Sequence, residues 1–453
     1  MKLPDAWRTG VVAVVGLGKS GVAATRLLAR EGVRVYASDG SDHPYGGGAV
    51  EALRGLPGVE VDLGRHDLAK IRAAAGVVVS PGVPPDAPPL AAAREAGVEI
   101  VSELDLGFRA VAAVGDTHCI AITGTNGKTT TTALVAHLLA TAGLKAVAAG
   151  NIGRPLADVA LSGDRYRWLS VEVSSFQLHD SPHFAPEVGI LTNLAPDHLD
   201  RYPSVREYYA DKRLIFRNAA PSSIWVLNAD DSAVLDLARG VPGRRMLFSL
   251  TMPADGWFDV GAGLLRIGGR MLLRREDLHL LGDHNVANAL AAALAVHEAG
   301  VPPGLIGEGL RSFQALPHRL EAVREVGGVL WINDSKATNI ASTVVAIEAM
   351  NRPFVLLLGG RHKGEPYTRL GPLLANRARL VIGYGEAGPI VEQDLKGQVA
   401  LERGTTFEDV VARARRAARS GDAVLLSPAC SSYDMFKNYE ERGATFRKLV
   451  EAM

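Results

Sequence analysis

The sequence contains little cysteine, and this limits both the chemistry and the compartment of the protein. Only two of its 453 residues are cysteines, Cys119 and Cys430, and they lie on separate apolar stretches. Two thiols are too few for a disulfide framework or a four-ligand zinc site, and they suit a reducing compartment. We therefore expect a cytoplasmic protein.

An excess of charge and long apolar runs are also missing. Lys+Arg and Asp+Glu both number 49, so the formal net charge is zero, whereas nucleic-acid and membrane-surface proteins need a basic excess. No uncharged apolar run reaches the ~18 residues that a membrane span needs. The first residues also lack the charged and then apolar pattern of a signal peptide. We expect no nucleic-acid partner and no membrane partner.

The composition and periodicity that are present are typical of an α/β protein. Apolar residues make up 47% and charged residues 22% of the chain, as in ordinary globular proteins. Short runs rich in Val and Ile alternate with segments of helical period, which favours parallel sheets covered by helices. The predicted strands are Val11–Val15, Val33–Ala37, Val77–Ser80, Cys119–Thr123, Trp168–Val173, Val188–Thr192, Ser223–Leu227, Leu330–Ile332, Phe354–Leu358, Leu380–Ile382 and Ala423–Leu426.

The length of the chain favours about two to four domains. Breaks in the pattern fit best near residues 112–118 and 315–318. They predict an N-terminal domain over 1–113, a central domain over 114–315 and a C-terminal domain over 316–453.

A glycine-rich turn follows the first predicted strand. Gly16, Gly18 and Gly21 have the GxGxxG spacing, and Asp39 lies near the end of the next strand, where an acid that binds a ribose would sit. Glycines there let the backbone approach a pyrophosphate at a helix N-terminus. The turn predicts a Rossmann-like domain that binds a nucleotide-like diphosphate. A nicotinamide dehydrogenase and a purely structural tight turn are the alternatives.

A second glycine loop indicates an ATP site. Residues 120–130 read IAITGTNGKTT, which is an apolar strand, a glycine loop and the start of a helix. Such a loop wraps backbone N–H groups around phosphates, Lys128 neutralises phosphate oxygens, and the hydroxyl of Thr129 meets Mg²⁺. The general P-loop spacing would need a glycine at Ile122, so the match is to the shorter form that starts at Gly124. A structural glycine turn, or a P-loop binding module without ligase activity, is the alternative.

The segment TGTNGKTT resembles the ATP-binding signature of the Mur ligase and folylpolyglutamate synthetase superfamily. Further matches to this family follow in its order, and the resemblance covers essentially the whole chain. They are Ser170–Ser175, Asn193–Asp200, Tyr209–Lys212, His284–Ala289 and Pro317–Arg319. The resemblance implies three α/β domains: a Rossmann-like N-terminal domain for the UDP end of a substrate, a central P-loop ATPase-like parallel sheet, and a Rossmann-like C-terminal domain for an amino acid.

Segments in the last third of the chain indicate a branch of the family. NDSKATN at 333–339, LLLGG at 356–360 and SPAC at 427–430 with FKNY at 436–439 are similar to the branch that adds D-glutamate to UDP-N-acetylmuramoyl-L-alanine. The D-N-P-R/A-type motif of the diaminopimelate- and lysine-adding relatives is not found. Taken alone, Asp334 and the residues after it would also fit a helix N-cap followed by a surface lysine. A folylpolyglutamate synthetase-like ligase is the closest enzymatic alternative.

The resemblance implies a set of site residues for each ligand. The implied catalytic residues are Lys128, Glu172, His198, Lys212 and Lys336. The implied ATP-binding residues are Gly124, Thr125, Asn126, Gly127, Lys128, Thr129, Thr130, Asn288, Arg319 and Asp334. The implied metal ligands are Thr129, Glu172, His198 and Lys212 as a carbamate. The implied UDP-substrate residues are Leu17, Gly18, Lys19, Ser20, Asp39, Gly82, Asn151 and Ser174. The implied D-glutamate residues are Thr338, Lys363, Ser432 and Tyr439.

The resemblance also implies the reaction and its cofactors. A carboxylate is a poor electrophile, so it attacks the γ-phosphate of ATP and becomes an acyl phosphate, which the amine of D-glutamate then attacks. Both reactants are anionic, which is why two Mg²⁺ ions and several cationic side chains are needed. His198 or a nearby carboxylate is the candidate acceptor for the proton of the amine. We expect small-molecule substrates, a monomer, a carbamylated Lys212, and domain closure that assembles the site.

Overall fold

The computed structural model describes residues 3–44, 47–113, 115–198 and 201–453. Its chain forms two compact units, one made of Met1–Asp277 with Ala287–Ser312 and the other of Leu278–Val286 with Phe313–Met453. Within the described residues the strands form three sheets, of which the first two belong to the first unit. The predicted α/β class with parallel sheets is confirmed. The predicted boundary residue Val114 lies outside the described residues, and the domain limits stay predictions.

The first sheet is fully parallel, with the strand order β3-β2-β1-β4-β5. Its first strand, Val11–Val15, is almost entirely apolar and buried, as expected for a strand covered on both faces by helices. The strands are β1 Val11–Val15, β2 Arg34–Asp39, β3 Val59–Leu63, β4 Gly76–Val79 and β5 Ile100–Ser102. The helices are α1 Asp5–Thr9, α2 Lys19–Arg30, α3 Gly48–Glu51, the 3-10 helix Ala52–Gly55, α4 Leu68–Arg72, α5 Pro88–Glu95 and α6 Glu103–Ala112.

The second sheet is parallel except at one edge, and its order is β14-β13-β12-β11-β10-β9-β6-β8-β7. Its strands are β6 His118–Thr123, β7 Ala146–Gly150, β8 Trp168–Glu172, β9 Val188–Leu191, β10 Ile224–Asn228, β11 Arg244–Ser249, β12 Gly256–Asp259, β13 Leu264–Ile267 and β14 Arg270–Arg274. Its helices are α7 Lys128–Thr141, α8 Leu156–Leu161, α9 Ser175–His179, α10 Val205–Arg213, α11 Ser232–Leu237, α12 Asp283–Glu298 and α13 Pro303–Ser312, with 3-10 helices at Leu214–Phe216 and Arg275–Asp277.

The third sheet has the order β15-β16-β20-β17-β18-β19, and only the β15–β16 pair is antiparallel. Its strands are β15 Glu321–Val326, β16 Val329–Asn333, β17 Phe354–Gly359, β18 Ala378–Tyr384, β19 Leu401–Arg403 and β20 Ala423–Leu426. Its helices are α14 Ile340–Glu348, the 3-10 helix Tyr367–Leu370, α15 Gly371–Leu374, α16 Gly388–Leu395, α17 Phe407–Ala417 and α18 Tyr439–Glu451.

Each predicted strand overlaps a strand of the structure, because long buried apolar runs are the clearest signal in a sequence. The antiparallel edge β12–β14 was not predicted. Its turn between β13 and β14 is Gly268-Gly269, and both glycines have positive φ, at 52° and 79°. Such a glycine pair is a recognised hairpin signal. None of the described helices has the length and apolar character needed to cross a membrane.

Helix α6 packs into the cores of both sheets of the first unit. Leu106 belongs to the buried cluster on one face of the first sheet, whereas Leu104 and Val111 belong to the cluster of the second sheet. Helices α2 and α6 also contact α8. The glycine turn after β1 and the glycine loop after β6 therefore lie within one packed body.

Candidate active site

The glycine loop after β6 requires glycine at two positions. Gly124 has φ of 142°, and a Cβ there would lie 2.0 Å from the Thr192 hydroxyl oxygen. Gly127 has φ of 81°, and a Cβ there would lie 2.2 Å from Oδ1 of Asn288. Residues with a side chain rarely adopt either backbone conformation, and neither position has room for one. Lys128, Thr129 and Thr130 then form the first turn of α7, which places their side chains at a helix N-terminus.

The segment after β9 holds this loop in shape. Asn193 accepts hydrogen bonds from the loop, through its backbone oxygen from the Thr125 N–H at 2.8 Å and through Oδ1 from the Asn126 N–H at 2.9 Å. The Thr192 hydroxyl donates to the carbonyl of Asn126 at 2.6 Å. The Asn193–Asp200 segment was found in the sequence, but its role as the support of the glycine loop was not. Leu199 and Asp200 lie outside the described residues.

Two lysine side chains converge on one carbonyl oxygen of the loop. Nζ of Lys128 donates to the carbonyls of Gly124 and Thr125 at 3.0 and 2.7 Å. Nζ of Lys212, which is buried in α10, donates to the same Gly124 carbonyl at 2.7 Å. Burial, assisted by the charge of Lys128, lowers the pKa of Lys212 well below its ordinary value. The structure therefore joins two residues that are 84 positions apart in the sequence.

A buried carboxylate lies at the end of the neighbouring strand. Glu172 ends β8 and pairs with Ile122 of β6, just before the loop. Its Oε1 accepts a hydrogen bond from the Asn151 amide at 2.8 Å, whereas its Oε2 is buried without a hydrogen-bond partner. Buried carboxylate oxygens are normally bonded, so an unpaired one fits a cation ligand.

The donor set around Glu172 fits Mg²⁺ rather than a metal held by the protein alone. Over the part of the chain that the structure describes, no group of three or more His, Cys, Asp or Glu side chains is arranged to hold a metal ion. Magnesium usually takes one or two carboxylates and fills its remaining positions with water and phosphate oxygens. Oε2 of Glu172 suits one position of such a site, and the Thr129 hydroxyl, in the first turn of α7, stays the predicted second protein ligand.

His198 lies beside the same loop in a cluster of aromatic rings. Its φ is 55°, and its ring contacts those of Phe176 and Tyr208, with centroids 5.2 and 5.9 Å away. The Tyr208 hydroxyl lies 3.3 Å from that of Thr125, and the same helix carries Lys212. The side chain of His198 is exposed, with its Nε2 atom 3.6 Å from Oδ2 of Asp197. Asn288 extends from α12 towards the glycine loop. Its Oδ1 accepts a hydrogen bond from the hydroxyl of Thr131, in α7, at 3.2 Å.

A separate cavity of about 580 Å³ opens at the carboxyl ends of the first sheet. Of the predicted UDP-substrate residues, those that line it are Gly18, Lys19, Ser20, Asp39 and Gly82. The side chain of Leu17 is buried, and its N–H donates to Oδ2 of Asp39 at 2.6 Å. Asn151 and Ser174 do not line this cavity: the first is bonded to Glu172 and the second caps α9 together with Gln177.

His66 also lines this cavity and was missed in the sequence. Its Nδ1 lies 2.9 Å from the Ser38 hydroxyl, and burial lowers its pKa below the ordinary value. The position of His66 in the loop after β3 could have identified it from the sequence, because ligands of open parallel sheets bind at the carboxyl ends of strands.

In the second unit, three of the four residues predicted to bind D-glutamate, together with the predicted catalytic Lys336, follow three neighbouring parallel strands. Lys336 and Thr338 follow β16, Lys363 follows β17, and Ser432 follows β20, which lies between β16 and β17. The N–H of Arg361 donates to the carbonyl of Ser431 at 2.9 Å, which joins two of these loops. Since the strands are parallel neighbours, their carboxyl ends meet at one edge of the sheet.

Lys336 and Tyr439 form a pair in this unit. Nζ of Lys336 lies 5.2 Å from the centroid of the Tyr439 ring, a cation–π geometry. Asp334 is buried and internally bonded, since it accepts hydrogen bonds from the Ser427 hydroxyl at 2.8 Å and the Leu320 N–H at 3.1 Å. Burial raises its pKa to about 7, and the hydrogen bonds from Ser427 and Leu320, followed by the nearby charge of Arg319, offset part of this rise. The roles of these residues towards substrates stay predictions.

Taken together, a glycine loop with converging lysines and a cavity at the carboxyl ends of a parallel sheet are typical of an ATP-dependent α/β enzyme. Models of the Mur ligase family match three stretches of the chain: the Mur ligase MurD-like N-terminal domain over 10–102, the Mur ligase middle domain over 122–296 and the Mur ligase glutamate ligase domain over 318–430. The chain belongs to the Mur ligase family, whose members are ligases.

Relatives from several bacteria match over nearly the full length. The UDP-N-acetylmuramoylalanine–D-glutamate ligase of Salinibacter ruber is 42% identical over 467 aligned positions, covering 99% of each chain. The enzyme of the same name from Myxococcus xanthus is 40% identical and covers 98% of each.

Solved structures with the same fold are more distant in sequence. The UDP-N-acetylmuramate-alanine ligase MurC of Thermotoga maritima has a TM-score of 0.61 at 20% identity over 98% of this chain and 99% of its own. A pseudomurein peptide ligase type C from Methanothermus fervidus has a TM-score of 0.59 at 20% identity, covering 98% and 100%. At this identity the likeness concerns the fold alone.

Proposed function

We propose that this protein joins D-glutamate to UDP-N-acetylmuramoyl-L-alanine in peptidoglycan precursor synthesis, with conversion of ATP to ADP and phosphate. The observation that carries the proposal is the glycine loop in which Lys128 and Lys212 both donate to the Gly124 carbonyl. The chain that contains it is 42% identical over nearly its full length to the UDP-N-acetylmuramoylalanine–D-glutamate ligase of Salinibacter ruber. We propose that it acts in the cytoplasm as a monomer, with domains over 1–113, 114–315 and 316–453.

Charge explains what the side chains of the first unit do in this reaction. Lys128 holds the phosphate oxygens of ATP, while the N–H groups at the start of α7 orient them for attack by the carboxylate. Glu172 and Thr129, with a carbamate on Lys212 and with His198, would hold two Mg²⁺ ions. When bound, Mg²⁺ supplies positive charge that offsets the repulsion between carboxylate and triphosphate.

The second step needs an amine without its extra proton. The amine of D-glutamate attacks the acyl carbon, forms the C–N bond and loses a proton, and phosphate leaves with the electrons of the broken C–O bond. A ring that ligates Mg²⁺ through one nitrogen carries its proton on the other, so the nearby carboxylate of Asp197, whose Oδ2 lies 3.6 Å from Nε2 of His198, suits the acceptance of this proton. Thr338, Lys363, Ser432 and Tyr439 would bind the carboxylates of D-glutamate and orient its amine. Lys336 and Arg319 would add positive charge at the transferred phosphoryl group.

We propose a carbamate on Lys212 because its amine is buried and has a lowered pKa. The lone pair of a neutral amine attacks the carbon of carbon dioxide, the nitrogen loses a proton, and the product is an anionic carbamate. An anion placed between Glu172 and Lys128 would add an oxygen ligand for Mg²⁺ and would remove the repulsion between two lysine charges.

Phosphate release tests the proposed function directly. Purified protein with ATP, Mg²⁺ and UDP-N-acetylmuramoyl-L-alanine is compared with D-glutamate, with L-glutamate and without an amino acid. We expect release that depends on both D-glutamate and the UDP-sugar. Release that is indifferent to both would leave an ATPase or a P-loop binding module, and glutamylation of a folate would favour the folylpolyglutamate synthetase-like alternative. Binding of NAD(P), measured by fluorescence, would support the dehydrogenase alternative.

A further inference from the structure

Arg442 is an arginine with no exposed surface in the second unit. It lies in the first turns of α18 (Tyr439–Glu451), and its exposed fraction is 0%. Removing a guanidinium from water is costly unless hydrogen bonds replace its hydration. An unbranched apolar side chain would fill the same space without that cost, so the contacts of Arg442 need an explanation.

The guanidinium of Arg442 joins two loops at the carboxyl edge of the third sheet. Its Nε donates to the Ser335 hydroxyl oxygen at 2.9 Å, and its Nη2 donates to the Ser335 carbonyl at 2.8 Å. Nη2 also donates to the Cys430 carbonyl at 3.1 Å. Ser335 belongs to the loop after β16 and Cys430 to the loop after β20. The planar fork of an arginine reaches these oxygens together, which a single lysine ammonium does not do.

Ser335 extends the connection back to α18. Its hydroxyl donates to the carbonyl of Tyr439 at 2.8 Å, and its N–H donates to Oδ1 of the buried Asn333 at 3.2 Å. Lys336 follows Ser335 directly, and its Nζ faces the Tyr439 ring. The bonds of Arg442 and Ser335 therefore fix the backbone on which Lys336 stands.

The loop after β17 also packs against this arginine. Gly360 has φ of 129°, and a Cβ there would lie 3.2 Å from Nη1 of Arg442. Lys363 stands three residues further along that loop. The loops that carry Thr338, Lys363 and Ser432, which are predicted to bind the amino-acid substrate, thus each contact Arg442 or a residue bonded to it.

We propose that Arg442 is a positioning residue for the amino-acid substrate, because it fixes the loops that carry Lys336, Thr338, Lys363 and Ser432. The inference rests on the proposed function for the identity of the substrate. Arg442 itself is buried beneath these loops, so it acts through the groups that it holds. Its loss therefore displaces several substrate-contacting groups at once.

Two variants and one control test this inference in the full-length protein. Arg442→Lys keeps the charge and removes the fork, whereas Ser335→Ala removes one hydroxyl with little change in volume. Arg416→Lys, at an exposed position on α17, is the matched control. We expect KM for D-glutamate to rise about 10-fold to 100-fold in Arg442→Lys and about 3-fold to 10-fold in Ser335→Ala. KM for UDP-N-acetylmuramoyl-L-alanine stays unchanged, and the control matches the wild type.

Amide hydrogen exchange without substrates gives a second readout that does not depend on the reaction. We expect faster exchange at residues 335–339 and 430–432 in both variants, with unchanged exchange in the first unit and in Arg416→Lys. If both loops keep wild-type protection, or if kcat falls in proportion to the folded fraction while KM for D-glutamate stays at the wild-type value, the inference is wrong. A wild type that ignores D-glutamate would refute the proposed function, while hydrogen exchange would still decide the positioning role. Should Arg442→Lys not fold, Ser335→Ala decides alone.

Discussion

A buried amine has different chemistry from an exposed one, and Lys212 is buried. Its side chain is 1% exposed, and its Nζ shares the Gly124 carbonyl with Lys128. A charged ammonium in this position is destabilised by desolvation and by a like charge. A neutral amine reacts with carbon dioxide at neutral pH, when an ordinary surface lysine is protonated.

We predict that Lys212 carries a carbamate and that Lys212→Arg abolishes it, because a guanidinium does not form one. With isotopically labelled bicarbonate, the NMR spectrum of the wild type should show a carbamate carbon that is missing in Lys212→Arg. Activity in the variant should fall about 100-fold or more, as for loss of a charge-stabilising group. Lys145→Arg, at an exposed lysine paired with Asp164, is the control and should keep both signal and activity. The same signal in Lys212→Arg would contradict the assignment.

Among the elements, the glycine loop after β6 is shaped by what surrounds it. The strand β9 lies beside β6, so the segment that follows β9 passes directly against the loop. Thr192, Asn193 and Asn288 occupy the space where side chains of the loop would otherwise point. The conformation of the loop is therefore fixed by residues distant in the sequence.

We predict that Gly127→Ala weakens nucleotide binding, because its φ of 81° is strained for alanine and its Cβ would overlap Asn288. The expected loss of stability is about 1–3 kcal/mol, and the affinity for ADP with Mg²⁺, measured by calorimetry, should fall by about tenfold or more. Gly304→Ala is the control, because Gly304 lies in α13 with open space around it, and its stability should change by less than about 1 kcal/mol. Wild-type affinity in Gly127→Ala would show that the loop adapts.

For the whole molecule, the contact between the first two sheets contains a buried carboxyl. Glu103, at the start of α6, is fully buried and accepts a hydrogen bond from the Ala157 N–H at the start of α8 at 2.6 Å. The other oxygen, Oε2, is buried without a hydrogen-bond partner. Burial raises the pKa of Glu103 from 4.5 to about 7, and the nearby charge of Asp158 adds to the rise.

We predict that Glu103 makes the protein less stable as the pH rises from about 4.5 to about 7. Between these pH values Glu103 keeps its proton in the folded state but is ionised in the unfolded state. A rise in pH therefore favours the unfolded state. The contribution is on the order of 3 kcal/mol. In urea titrations over this range, Glu103→Gln should flatten the slope, because Gln still accepts the Ala157 N–H and does not titrate.

Asp334 has a similarly raised pKa, so part of the slope should remain in Glu103→Gln. Glu99→Gln, at an exposed position, is the control and should keep the full wild-type slope. A slope in Glu103→Gln equal to that of the wild type would show that Glu103 is charged in the folded protein throughout this range.

The sequence determined the fold class, the strands with long apolar runs and both glycine turns. These features depend on local patterns: a buried parallel strand is continuously apolar, and a phosphate loop needs glycines at fixed spacing before a helix. The candidate residue Lys128 was available from the glycine-loop pattern, and Glu172 and Lys212 were available through the resemblance to a family. The strands β3 and β7 were not predicted because they are only partly buried and have no continuous run of Val, Ile or Leu, and β5 is only three residues long.

Only the tertiary structure decided which of these residues meet. Strand order decides three features of the site. They are the convergence of Lys128 and Lys212 on Gly124, the support of the loop by Asn193, and the placement of Glu172 beside the loop. Strand order joins segments far apart in the chain, and no local pattern records it. The same holds for His66 and Arg442, neither of which was a candidate site residue from the sequence. Their burial and bonding partners follow from packing, which a sequence pattern does not specify.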